Sequence, residues 1–291
     1  MRVQDRWVPS AASELAPRYV SSRNGAPVAI AYGDAHRDAL LVPARQLGGT
    51  SLVEEWPLPE GVTFGSVTVD GSLPIEQIAR QAYVRMINET RDSGHPYFLR
   101  IWNYVGGINE LDDGRERYQL FCAGRHDAFV EAGYHHDVDL PAASAVGMPG
   151  RGFVAYYLAA REPGLQVENP RQVAAYDYPA RYGPKSPSFS RATVWNGTVF
   201  VSGTSSVLGH LTVHAGDVDA QLEETLRNID AVLAQTGRSL ANVVSAKTYV
   251  RRAADYERIA RRLEPVFAAN LFLEADICRA DLLLEIEAIA R

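Results

Sequence analysis

The chain has 291 residues, enough for one large domain or two of ordinary size with a substantial core. A hydrophobic content of 46% and a charged content of 22% are globular values, which exclude a disordered or fibrous chain. The net charge of −6 and pI near 5.7 argue against nucleic acid or an anionic membrane as partner, so an anionic ligand would need local arginines.

Residues 1 to about 60 are mixed in composition and close at Pro57 and Pro59. The first stretch, Met1 to Leu15, lacks the apolar centre of a leader, and no run of about 18 apolar residues occurs, so a cytoplasmic protein is expected. Val62 to Val69 reads as a short strand. Pro74 opens an amphipathic helix in which Ile75, Ile78, Ala82, Met86 and Ile87 recur at helical spacing, stopped by Gly94, His95 and Pro96. Tyr97 to Val105 (YFLRIWNYV) follows as a buried strand, Arg115 to Ala132 as a second helix, and Gly152 to Ala160 as a second strand. Cys122 and Cys278 make no disulfide framework or metal cluster. His135 and His136 precede Asp137, but on a strand they would point to opposite faces, so no metal site is expected.

The C-terminal half repeats this order. Val199 to Gly203 is a strand ending in a Gly-rich bend, and Asp217 caps a helix carrying Leu222, Leu226, Ile229, Val232 and Leu233 that ends at Gly237. Val243 to Val250 is a strand, Asp255 to Ala269 a helix, and Asp281 to Ala290 the closing strand. Helix, strand, helix, strand in each half predicts a duplicated α+β unit with helices on one face of each sheet. The division expected is residues 1–162, a Pro- and Tyr-rich loop at 163–191, and residues 192–291. Five prolines keep that loop from forming a helix or a central strand, and its three tyrosines favour order.

In the closing strand Leu284, Ile286, Ala288 and Ala290 share one parity, Glu285 and Glu287 the other. A central strand covered on both faces desolvates a carboxyl, which makes Glu285 or Glu287 a candidate proton donor. Cys278 stands seven residues before Glu285, with Arg279 beside it. Read alone, such a thiol is usually a small core residue and glutamates on an alternating strand usually face water.

Three blocks together resemble the chorismatase family: HPYFLRIWNYVGGINE with RYQLFCAGRHDAF (residues 95–129), ENPRQVAAYDYPARYGPKSPSFSRA (168–192), and ADICRADLLLEIEAIA (275–290) after VSGTSSVLGH (201–210). The last third also resembles the RidA/YjgF superfamily, whose small subunits form trimers with sites at their junctions. The resemblance implies an α+β fold of duplicated RidA/YjgF-like (chorismate-mutase-like) units, with mixed sheets and helices packed on one face. It implies removal of the enolpyruvyl side chain of chorismate as pyruvate, without metal or organic cofactor.

The family's acid matches Glu285, with Glu287 its competitor. Cys278 matches the thiol of the hydroxybenzoate-forming type, so 3-hydroxybenzoate is the expected product, alone or with 4-hydroxybenzoate. For the two carboxylates of chorismate the arginines Arg125, Arg181, Arg191 and Arg279 are candidates, because a planar guanidinium binds a carboxylate bidentately. Tyr178 and Tyr182 are placed against the ring, and Gly203 with Thr204 supplies backbone N–H groups and a hydroxyl. Since duplication replaces a subunit interface, a monomer is expected. Three alternatives stay open: a hydrolase leaving a dihydroxycyclohexadiene carboxylate, a RidA-like imine deaminase, and a metabolite-binding module without catalysis.

Overall fold

The computed structural model describes residues 18–20, 27–31, 40–49 and 60–291. The break expected at Pro57 and Pro59, and the stretch from Met1 to Leu15, lie outside the described residues. Three strands come first, β1 (Arg18–Val20), β2 (Pro27–Ala31) and β3 (Leu40–Gly49). The next unit is β4 (Val62–Val69), α1 (Ile75–Asp92), β5 (Tyr97–Gly106), a small hairpin of β6 (Leu111–Asp112) and β7 (Arg115–Glu116), α2 (Arg117–Glu131), β8 (Ala142–Met148) and β9 (Phe153–Ala160). After the short β10 (Leu165–Val167) come β11 (Ala192–Trp195), β12 (Thr198–Thr204), the hairpin β13 (Val207–Leu208) and β14 (Leu211–Thr212), α3 (Val218–Ala234), β15 (Val243–Val250), α4 (Tyr256–Leu263), β16 (Asn270–Glu274) and β17 (Leu284–Ala290).

Two mixed sheets result. One runs β4-β9-β5-β8; the other runs β1-β2-β3-β16-β15-β17-β12-β11-β10. Within them, β8-β5-β9-β4 and β16-β15-β17-β12 are the same arrangement, each with one parallel pair, β5 with β8 and β15 with β16. The β1–β3 strands extend the second sheet through an antiparallel pairing of β3 with β16.

Strand parity builds the layers. In β9, Phe153, Ala155, Tyr157 and Ala159 pack with α1 and α2, while Val154, Tyr156 and Leu158 face the other sheet. In β17, Leu284, Ile286 and Ala288 pack with α3 and α4, and Ile289 faces the first sheet. The two sheets therefore meet face to face, each backed by a helix pair. Residues of alternate parity on β5, β9, β15 and β17 share this inner layer.

The structure departs from the sequence reading in several places. Besides β1–β3, β10, β11 and the two short hairpins, each half has one unexpected strand in the core of its sheet, and these two, β8 and β16, occupy equivalent positions. β8 (AASAVGM) is small and weakly β-forming, and β16 begins directly after the helix expected over Asp255 to Ala269. That helix, α4, stops at Leu263 because Pro265 has no N–H to continue its ladder. The second helix begins at Arg117, since Arg115 and Glu116 pair with β6. α3 ends at Ala234, with Gly237 in a left-handed turn beyond it. Asp217 caps α3 as expected, accepting from the N–H groups of Asp219 and Ala220. His135 and His136 lie in a turn between α2 and β8, where the strand argument does not apply. The Pro-rich segment is ordered, with β10 at a sheet edge and short 3-10 turns at Ala175–Asp177 and Ala180–Tyr182. No helix among the described residues is long and apolar enough to cross a membrane.

Candidate active site

β17 is hydrogen-bonded between β15 and β12, so its polar-parity residues point into the layer between the sheets. Glu285 and Glu287 are accordingly only 4% and 6% exposed. Their surroundings separate them. Glu287 accepts from Lys247 Nζ (2.7 Å), Arg100 Nη2 (2.9 Å), Trp102 Nε1 (2.6 Å), Ser144 Oγ (2.7 Å) and Tyr249 OH (3.3 Å). Burial alone would raise its pKa, but the charges of Lys247 and Arg100 outweigh it and hold the carboxyl below the usual range. Glu287 is a buried carboxylate.

Glu285 has the opposite balance. Its Oε1 is buried with no hydrogen-bond partner among the described residues. Burial, reinforced by the negative charge of Glu287 and only partly offset by Arg100, pushes its pKa up to about 8. The group is therefore a neutral acid at pH 7. The lack of a side chain at Gly203 makes room for it, because a Cβ there would collide with Glu285 Oε1.

Glu285 lines a pocket with about 810 Å³ of empty space, a figure that includes open solvent at its mouth. Three arginines share its wall. Arg125, on α2, is 1% exposed and lies over the Phe121 ring, and its Nε has no hydrogen-bond partner among the described residues. Arg191 is 6% exposed; its Nη2 donates to Val173 O (2.8 Å) and Tyr178 OH (2.9 Å), and its Nε is also unpartnered. Arg279 stacks on Tyr182 (4.4 Å) and donates to His210 O (3.0 Å). None of the three forms an ion pair among the described residues. Cys278 closes the wall beside Glu285; burial first, then the Glu285 charge, push its thiol pKa up to about 12 despite Arg279, so it stays protonated.

Two family models match parts of the chain, and two relatives match most of it. The description "Chorismatase FkbO/Hyg5-like, N-terminal" fits residues 48–159, and "Endoribonuclease L-PSP" fits residues 183–291. A protein named 3-hydroxybenzoate synthase from Streptomyces hygroscopicus is 39% identical over 235 residues, 73% of this chain and 69% of that one. A second protein of that organism, named chorismatase, is 39% identical over 254 residues, 80% of this chain and 73% of its own. The chain belongs to the chorismatase family. A crystal structure of a chorismatase superposes with a TM-score of 0.76 at 37% identity, covering 81% of this chain and 77% of that one.

In this chorismatase the residues singled out from sequence fall into two groups. Glu285, Cys278, Arg125, Arg191, Arg279, Tyr178, Tyr182 and Gly203 all line one pocket. Two do not. Arg181 is exposed at the rim, where its Nη2 donates to His210 Nδ1 (2.8 Å) and its guanidinium lies over Tyr182. Thr204 is buried in a β-bulge between β12 and β17, and its hydroxyl donates back to Ser202 O (2.8 Å). The expected bend after Gly203 is this bulge.

Sequence reasoning missed Ser144, Ser205, Gln172, Tyr118 and Phe189, which also line the pocket. Ser144 lies on β8, the strand its composition concealed. The network around Glu287 did leave a signal: Arg100, Trp102 and Tyr104 on β5 and Lys247 and Tyr249 on β15 place polar groups on one parity of otherwise apolar strands. Among the described residues no group of three or more His, Cys, Asp or Glu is placed to hold a metal.

Proposed function

We propose that this enzyme cleaves the enolpyruvyl ether of chorismate, giving pyruvate and 3-hydroxybenzoate, with Glu285 as the general acid. The observation that carries the reading is a buried, neutral carboxyl lining a pocket whose three arginines form no ion pair among the described residues. The relatives named 3-hydroxybenzoate synthase and chorismatase supply the substrate and product class.

The chemistry follows from the substrate. An enol ether is cleaved by a proton delivered to its terminal methylene carbon, a weak base that demands a neutral donor poised near the operating pH. Glu285 donates that proton, and its carboxylate then faces the oxocarbenium ion it has produced. The hydroxyl on the neighbouring ring carbon displaces the side chain as pyruvate, and the resulting arene-oxide-like species opens to the phenol. No water is consumed: the two products together contain the atoms of chorismate. The protonated Cys278 acts as a compact, weakly polar wall that keeps water from the competing attack. Arg125, Arg191 and Arg279 hold the two carboxylates, and Tyr178 and Tyr182 face the ring. The active unit is a monomer, because each sheet's inner face is covered by the other sheet of the same chain; light scattering on a sizing column tests this.

Incubating the enzyme with chorismate should release pyruvate and a phenol identified chromatographically as 3-hydroxybenzoate, and Glu285→Gln should slow the release of both by at least about 100-fold. A dihydroxycyclohexadiene carboxylate as the ring product would overturn the product assignment, and wild-type turnover by the Gln variant would overturn the acid.

A further inference from the structure

Two carboxyls stand two residues apart on one face of β17, and only Glu285 lines the substrate pocket. Every donor that reaches this pair from behind the pocket is turned toward Glu287. Arg100 Nη2 reaches it directly and through the Ser144 hydroxyl, which accepts from Arg100 and donates to Glu287. Lys247 Nζ, directly opposite Glu287 in the β15–β17 register, donates to it and to the Tyr156 hydroxyl (3.1 Å). Tyr249, opposite Glu285 in the same register, also directs its hydroxyl to Glu287.

We propose that Glu287 is a positioning residue for the proton-donating step: by engaging Arg100 and Lys247 it keeps both cations from pairing with Glu285, and so leaves that carboxyl able to hold the proton it delivers. This rests on Glu285 being the acid. The charged and titratable groups around Glu285 are Glu287 on its own strand, Lys247 and Tyr249 on β15, and Arg100 on β5. On the pocket side stand Glu116 on β7, Tyr118 and Arg125 on α2, Cys278 and Arg279 before β17, and Tyr178, Tyr182 and Arg191 from the Pro-rich segment. The pocket arginines line the substrate pocket; Arg100, Lys247 and Glu287 do not. Two cations and one anion give that network a single net positive charge. Removing Glu287's charge doubles it, removing Lys247's cancels it, and removing both restores it.

The test is the pH dependence of kcat for pyruvate release from chorismate, measured for wild type, Glu287→Gln, Lys247→Met and the double variant, with folding checked by circular dichroism. A general acid works protonated, so activity falls as pH rises through its titration. In Glu287→Gln the uncompensated cations favour ionised Glu285, and the falling limb should move about one pH unit or more to lower pH. In Lys247→Met it should move upward by a similar amount, and in the double variant return to the wild-type position, all with KM unchanged. A packing role alone gives no shifts of opposite sign that cancel. If Glu287→Gln does not fold, Lys247→Met decides: an upward shift supports the role, an unmoved limb overturns it. Unmoved limbs in folded variants, with Glu285→Gln inactive, overturn the role of Glu287 and leave Glu285 as the acid. Wild-type turnover by Glu285→Gln overturns both.

Discussion

At one end of the layer between the sheets, Glu287 is surrounded by Arg100, Lys247, Trp102, Ser144 and Tyr249, all donating to it. Two residues away, Glu285 Oε1, and with it Arg125 Nε and Arg191 Nε, are buried with no hydrogen-bond partner among the described residues. Same strand, same residue type and similar burial give a fixed anion in one place and a neutral acid in the other. Hydrogen bonds to the charged form, rather than depth, decide which. A native fold satisfies nearly all its buried polar groups, so a cluster of unsatisfied ones marks where the protein meets something other than itself.

The contrast breaks most visibly at Glu285. Its replacement by Gln should lower kcat by about 10²–10⁴-fold, the usual worth of a general acid, in the pyruvate-release assay. The same variant should melt at or above the wild type at pH 7. A carboxyl raised from its ordinary value near 4.5 to about 8 weakens the fold as pH climbs between those values, because only the unfolded chain can ionise it there. Glu287→Ala should do the reverse to stability. It strands two buried cations and should lower the unfolding free energy by about 3–5 kcal/mol in urea titrations.

Arg191→Gln should raise KM about tenfold with a smaller effect on kcat, as expected when a charged hydrogen bond worth about 1.5–3 kcal/mol is lost. For the wild type, kcat should be flat near neutrality and fall above about pH 8, the value to which Glu285 is raised. Arg181→Ala gives the smallest effect: an exposed rim residue should change binding by no more than about 0.5 kcal/mol, read as KM within about twofold.

The sequence made some of this contrast legible. Alternation along 281–290 put both glutamates on one face, and the apolar runs of β5, β9 and β15 were long enough to read as strands. What alternation could not do was tell the two acids apart, because their difference comes from Arg100, Ser144 and Lys247, 187, 143 and 40 positions away. β8 escaped detection because Ala, Ser and Gly have little strand preference, and its burial comes wholly from tertiary packing. The arginines Arg125, Arg191 and Arg279 came from the resemblance of whole blocks; no local pattern distinguishes them from Arg181, which folds to the rim.

The stretch between β9 and β11 also supplies Tyr178, Tyr182, Phe189 and Arg191 to the pocket. Covalent tether and substrate wall are thus one piece of backbone. A cut or a long insertion there would leave both sheets their own hydrogen-bonded strands while dismantling the recognition surface. Efforts to permute or split this enzyme would do better to open the chain at an exposed turn elsewhere, such as the one at Asn196-Gly197.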